Sequence, residues 1–313
     1  MAIPLQWEGP SVPRHIETVE TAHRQFDFLP QALQRVYAPG GAPPILTGVV
    51  LTPLATGGAM AVYKLTARLA REQSQHVVCK IPHDHRIVYA SNTAPGLPLE
   101  TTEHLLERLV HLAQLLAQRA PGLFPRCGGV WHWESDDGVP RHLLVEEYIP
   151  GLSIERIKYT YDQQLTAGEL SAEAYNQRCR KIERLAVATF VRLWNCLDRR
   201  AFTSDPSPWN ILVPPSADWG TLPPIATIID LHSLEEEVGL SYVVQRLAAV
   251  YGLRQEVLEQ AIVPGVLDAL GREEGRSMLL DELPHLEAEA HKAVQNLGVD
   301  LQRPLLEAIR TLQ

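Results

Sequence analysis

Thr203-Ser204-Asp205-Pro206-Ser207-Pro208-Trp209-Asn210-Ile211-Leu212-Val213 decides the reading of this chain, and Ile228-Ile229-Asp230-Leu231-His232 completes it. Asp205 and Asn210 stand five residues apart ahead of a short apolar run, and a second apolar run ends on Asp230. One carboxylate can take a proton, while an amide oxygen and a second carboxylate suit a hard, oxygen-loving cation such as Mg²⁺. That is the layout expected of a phosphoryl-transfer site. Asp-Pro-Ser-Pro alone is ordinary turn chemistry, so the reading depends on what precedes and follows it.

Working back toward the N-terminus, a long amphipathic helix over 171–200 feeds into Thr203, with Tyr175, Cys179, Ile182, Ala186, Phe190, Leu193 and Leu197 along one side. Before it, Val130–Trp133 and Arg141–Tyr148 read as a hairpin joined by a polar loop, and the second strand runs on as Glu146-Glu147-Tyr148-Ile149-Pro150-Gly151. A helix over about 100–119 buries Leu105, Leu106, Leu109, Leu112, Leu115 and Leu116. Ahead of that helix come strands over 46–54, 61–67 and 76–81. Gly57-Gly58 lies in the first turn, and Lys80 sits inside the apolar run Val77-Val78-Cys79-Lys80-Ile81. A lysine in an apolar strand is costly to bury without a partner. Glu100, Glu103 and Glu107 at the start of the next helix are candidates, and Glu103, at the edge of the apolar stripe, is the choice.

Taken in this order, the parts resemble the protein-kinase-like superfamily, nearest to aminoglycoside phosphotransferases, choline kinases and the small RIO-like kinases. Asp205-x-Ser207-x-Trp209-Asn210 is closest to the RIO spelling. The resemblance implies an α+β, bilobal protein-kinase-like fold: a small N-lobe over 46–148 with an antiparallel five-stranded sheet plus one helix, and a larger, mainly helical C-lobe over 149–313. Residues 1–45, rich in proline and carrying one short helix near 31–37, are expected to form an N-terminal extension. By the same resemblance, Gly57, Gly58 and Val62 would cover the phosphates of ATP, Lys80 would hold the α/β-phosphates against Glu103, and Glu147 and Ile149 would offer backbone groups to adenine beside Glu146. Asp205 would act as catalytic base, with Asn210 and Asp230 holding Mg²⁺.

The implied activity is transfer of the γ-phosphoryl group of ATP to a hydroxyl of a small molecule. Three departures keep two alternatives open, a catalytically silent module binding a nucleotide or a protein partner, and an atypical RIO-like protein kinase. Thr203-Ser204 stands where His-Arg or His-Gly is usual, Asp230-Leu231-His232 where Asp-Phe-Gly or Asp-Trp-Glu is usual, and Ala55 and Met60 where the outer glycines are usual.

Composition narrows the partners. The chain has 313 residues and a net charge of −9, which disfavours nucleic acid as a main partner because phosphate backbones need a basic face. Residues 1–150 carry 14 acids and 12 bases (−2) and residues 151–313 carry 23 and 16 (−7). The acidic second half suits a cationic acceptor, or serves solubility. No apolar run reaches the ~18 residues of a membrane span, and Met1–Pro10 has neither the basic nor the apolar region of a signal peptide. Cytoplasmic residence is therefore expected. Cys79, Cys127, Cys179 and Cys196 form no Cys-x-x-Cys pair and read as free thiols. Helices are expected after Asp230 at 240–252, 254–263, 265–271, 284–295 and 304–312, with Pro264, Pro284 and Pro304 as breaks or starts.

Overall fold

A six-stranded sheet is the frame of the first half of the chain in this computed structural model. The structure describes residues 5–8, 28–56, 60–70, 73–83, 87–88, 100–134, 138, 140–203, 205–214, 226–231, 234–251, 255–297 and 303–312. Among these the protein is α+β, with eight α-helices, and divides into two units: 1–118 with 125–148, and 119–124 with 149–313.

In the first unit, β2 (Leu46–Thr56), β3 (Met60–Leu69), β4 (Ser74–Pro82), β8 (Pro140–Glu147) and β7 (Cys127–Glu134) pair antiparallel. The sheet has one strand more than the five expected, because β1 (Leu5–Trp7) adds to β2 in parallel. Leu5-Gln6-Trp7 is too short for its alternation to serve as a strand signature, so the register Leu5↔Val49 to Trp7↔Leu51 emerges only in the fold. A short ribbon, β5 (Ile87–Val88) with β6 (Glu100–Thr101), lies apart from the sheet.

This unit also holds two helices, the short one expected near 31–37 and the one expected over about 100–119. Successive strand residues face opposite sides of a sheet, and each side has its own cover. Leu29, Ala32, Leu33 and Val36 of α1 (Leu29–Tyr37) pack with Tyr63, Leu65, Cys79, Ile81, Leu143 and Val145. Leu105, Leu106 and Leu109 of α2 (Thr102–Arg119) pack with Met60 and Leu144. Lys80 lies between Cys79 and Ile81 and directly opposite Leu144, so it belongs to the α2 side.

The second unit is mainly helical. α3 (Ile154–Thr166) and α4 (Ala172–Cys196) start on Ser153 and Ser171, whose side chains accept from the amides of Arg156 and Ala174. α4 stops short of residue 200 because Asp198 and Arg199 take left-handed backbone angles (φ 57° and 60°) and turn the chain into β10 (Ala201–Thr203). β9 (Leu152–Ser153), β11 (Ile211–Val213) and β12 (Thr227–Ile228) form a small sheet in the order β12-β11-β9, and β10 pairs with β13 (Leu234–Glu236). Gly151 lets β9 approach β11: a Cβ there would stand 2.5 Å from the carbonyl oxygen of Val213.

α5 (Leu240–Tyr251), α6 (Gln255–Leu270), α7 (Arg272–Leu297) and α8 (Arg303–Arg310) complete the chain. Pro264 and Pro284 lie inside α6 and α7 and do not break them. Each proline removes one helical hydrogen bond. For α6, burial of Ala261, Ile262, Val266 and Ala269, with Gly265 against Val187 of α4, offsets that loss. No helix among the described residues is long and apolar enough to cross a membrane.

Candidate functional site

Asp205 follows β10 directly. Its amide donates to Thr203 Oγ1 at 3.1 Å, which turns the chain out of the strand. Pro206 and Pro208 restrict the backbone beyond it, and Pro208–Asn210 form a single 3₁₀ turn closed by Asn210 N donating to Ser207 O at 3.0 Å. The turn folds Asn210 back onto Asp205. Asn210 Nδ2 donates to Asp205 Oδ2 at 3.3 Å, and Ser207 Oγ donates to Asp205 Oδ1. Ser207 and Asn210 are both buried, whereas the Trp209 side chain between them is 52% exposed. Ser207 is a part of this cluster that the sequence shows only as one letter of the motif; its role needs the geometry of the turn.

Asp230 is brought to the same place by the small sheet. β11 starts at Ile211, right after Asn210, and pairs with Ile228 of β12. Ile229 N donates to Asn210 O at 2.9 Å, so the residue before Asp230 is bonded to the backbone of Asn210. The strand leading to Asp230 is fixed by three further bonds. Ala226 N donates to Thr189 Oγ1 at 3.0 Å, Thr227 Oγ1 to Gly122 O at 2.9 Å and Ile228 N to Leu123 O at 2.9 Å. The chain at Asp205, Asn210 and Asp230 thus comes together where β11 begins and β12 ends, with Asp205 tied to Asn210 by its hydrogen bond. His232 lies outside the described residues.

The residues predicted to hold a nucleotide fall in the first unit, apart from Ile149. Lys80 on β4 and Val62 on β3 are directly paired across the strands. The carboxylate placed against Lys80 in this unit is Glu146, with Nζ and Oε2 at 2.7 Å and both side chains largely shielded from water. Glu103 was the expected partner, but it stands exposed in the first turn of α2. The reason is register. Lys80 pairs with Leu144, so Glu146 is the diagonal neighbour on the same face, within reach of a long side chain. Gly57 and Gly58 lie outside the described residues.

Glu147 serves the sheet as well as the chain's exit from it. Its amide donates to Arg126 O at 2.8 Å and is therefore not on offer to a ligand. Its carboxylate takes Arg126 Nη2 and Nε at 2.7 and 2.9 Å, and the Arg126 amide at 3.2 Å. Burial pushes the Glu147 carboxyl up, but these bonds and the guanidinium charge together hold it below the usual carboxylate range. Ile149, half-buried, opens the second unit.

The oxygen donors at the Asp205 loop suit Mg²⁺, which binds through one or two carboxylates together with the phosphates of its substrate rather than in an all-protein cage. Asn210 fits such a role because it is buried with its amide nitrogen turned to Asp205, which directs the other end of the amide away from that carboxylate. No cluster of three or more His, Cys, Asp or Glu able to hold a metal occurs among the described residues. Burial pushes the thiols of Cys79 and Cys127 up to about 12, which removes both as nucleophiles at neutral pH.

No family model and no curated protein matches the chain. Among solved structures it is similar to WaaP in complex with acyl carrier protein, at 15% identity and a TM-score of 0.41, over 77% of this chain and 88% of that one.

Proposed function

We propose that the protein is a phosphotransferase of the protein-kinase-like superfamily, moving the γ-phosphoryl group of ATP to a hydroxyl of a small molecule with Mg²⁺ bound. The observation that carries this reading is the convergence of Asp205, Asn210 and the strand leading to Asp230, joined by the Asn210–Asp205 and Ile229–Asn210 hydrogen bonds. Asp205 accepts or orients the proton of the attacking hydroxyl, and Ser207 and Asn210 hold its carboxylate in place. Asn210 and Asp230 hold the cation, which when bound neutralises charge on the phosphates. Lys80, paired with Glu146, binds the α/β-phosphates. Positioning and charge compensation then supply most of the rate. The acidic balance of the second half favours a cationic acceptor molecule.

A second reading is a catalytically silent nucleotide-binding module. The Lys80–Glu146 pair favours it, because it engages the lysine within its own sheet.

A thermal-shift titration with ATP, with and without Mg²⁺, tests both readings. Stabilisation that requires Mg²⁺ and is lost in Asp230→Ala is expected, and no stabilisation under either condition refutes both. ATP turnover in wild type that Asp205→Ala abolishes selects the enzyme; binding without turnover selects the silent module.

A further inference from the structure

Glu146 puts a carboxylate where the sheet itself has no need of one. It stands directly opposite Val78 of β4 and diagonal to Lys80, with Nζ and Oε2 at 2.7 Å. Leu144 and Val145 before it are wholly buried, and Glu146 is itself buried. A shielded ion pair supports a fold no better than apolar residues of similar volume, because desolvating two charges offsets their attraction. The pair therefore calls for a use other than stability.

The surroundings point to that use. Residues directly opposite each other on neighbouring strands share a face. Val62, Lys80 and Leu144 thus form one row across β3, β4 and β8, and Lys64, Val78 and Glu146 form the next. On this face α2 packs against Met60 and Leu144, while Val62, Lys64 and Val78 stay only half-buried. The face is therefore open to solvent beside the pair. Lys80 keeps 12% of its side chain in contact with water against 3% for Glu146. The lysine is the member that a solute can meet, and the carboxylate is its shielded support. Glu103, in the first turn of α2, is exposed.

We propose that Glu146 is a positioning residue, holding Lys80 from within the sheet so that its ammonium group meets the phosphates of the nucleotide. A lysine is a point charge on a flexible stem. One close contact with a fixed carboxylate narrows where that charge can stand, so less freedom is lost when a phosphate arrives. Glu146 acts through the lysine, since its own charge repels phosphate. Where the supporting carboxylate sits on a helix, the position of that helix switches the lysine in and out of place. Here β8 is tied to β4 by the ladder from Val77↔Glu147 to Lys80↔Leu144. The strand that carries the carboxylate cannot withdraw unless the sheet opens. Lys80 is thus set whenever the first unit is folded, and α2 carries no such switch.

This inference rests on the phosphotransferase reading, and the test keeps the two apart. Mg²⁺-ATP hydrolysis, with water as the acceptor, is measured for wild type, Glu146→Gln, Glu146→Asp and Glu103→Gln, each well below its own melting temperature. Glu146→Gln keeps the shape of the side chain and removes its charge; Glu146→Asp keeps the charge on a shorter stem. The kcat/KM of Glu146→Gln is expected to fall by about tenfold or more, the effect of a misplaced group. Glu146→Asp should recover part of that loss, and Glu103→Gln should match wild type. A merely structural pair would lower the melting temperatures and leave kcat/KM of the folded variants unchanged. Wild-type kcat/KM in Glu146→Gln overturns the proposal, as does a loss in Glu103→Gln of the same size, or a Glu146→Asp protein no more active than Glu146→Gln. A wild-type protein that does not hydrolyse ATP refutes the phosphotransferase reading itself, before any variant is compared.

Discussion

Lys80 Nζ lies 2.7 Å from Glu146 Oε2, and their side chains are only 12% and 3% exposed. Two charges that dry tolerate each other's company far better than solitude. Halving such a pair takes from a shielded charge its neighbour at 2.7 Å, which costs about 3 kcal/mol, whereas replacing both partners with apolar residues of similar size is close to neutral. Glu146→Ala and Lys80→Ala are therefore each expected to lower the urea-unfolding free energy by about 3 kcal/mol. Lys80→Met with Glu146→Leu should recover most of it. Single-variant losses below about 1 kcal/mol, the range of solvated surface pairs, would show that the pair is wet.

The Arg126–Glu147 pair predicts an acid limb in the stability curve. The Glu147 carboxyl titrates below its ordinary value of 4.5 in the fold, through its hydrogen bonds to Arg126 and against the opposing effect of burial. A depressed folded value means that its stabilisation is complete above the unfolded value and is lost as pH falls below 4.5 toward the folded one. Between pH 6 and pH 3, wild type should lose more melting temperature than Glu147→Gln. Parallel curves for the two proteins would contradict the assignment.

Thr189 connects the long helix to the strand that carries Asp230. Its Oγ1 donates to Leu185 O at 2.8 Å and accepts from Ala226 N at 3.0 Å, and the residue is fully buried. Thr189→Val keeps the shape and removes the acceptor, so the Ala226 amide is left unpaired at a cost of about 1–3 kcal/mol. Faster hydrogen exchange is expected in a peptide covering 226–231, with peptides from the first-unit sheet unchanged. If exchange there stays at the wild-type rate, Thr189 does not fix this strand.

The residues just argued divide by how far the sequence reveals them. Lys80 stands out because it interrupts an apolar strand, and Asp205, Asn210 and Asp230 because two polar letters precede one strand and a third follows another. Each of these signals is local. Glu146 was invisible as the partner of Lys80, since the pairing depends on the register of β4 with β8, two strands more than 50 residues apart in sequence. β1 is too short to show an alternation, and its place is set by the neighbour it joins. Pro264 and Pro284 mislead for a related reason, because a local rule against proline in helices gives way to the packing of buried neighbours, Ile262 and Val266 on α6 and Leu283 and Leu286 on α7.

Gly265 follows Pro264 on α6, where a Cβ would stand 2.5 Å from Cγ1 and 2.9 Å from Cβ of Val187, a buried residue of α4. Two effects compete on substitution. Alanine in an open helix position would add about 1 kcal/mol over glycine. Overpacking a closed core contact costs about 1–3 kcal/mol, and contacts below 3.0 Å to a branched side chain on a facing helix are not relieved by a rotamer change alone. The second effect wins, so Gly265→Ala should destabilise the protein even though it raises helix propensity. Val187→Ala removes the atoms in the way, and the double variant should be more stable than the sum of the single losses predicts, by about 1 kcal/mol or more for residues in contact. Urea unfolding of the four proteins measures the coupling. Strict additivity, or a Gly265→Ala protein as stable as wild type, would mean that α4 and α6 do not meet this closely.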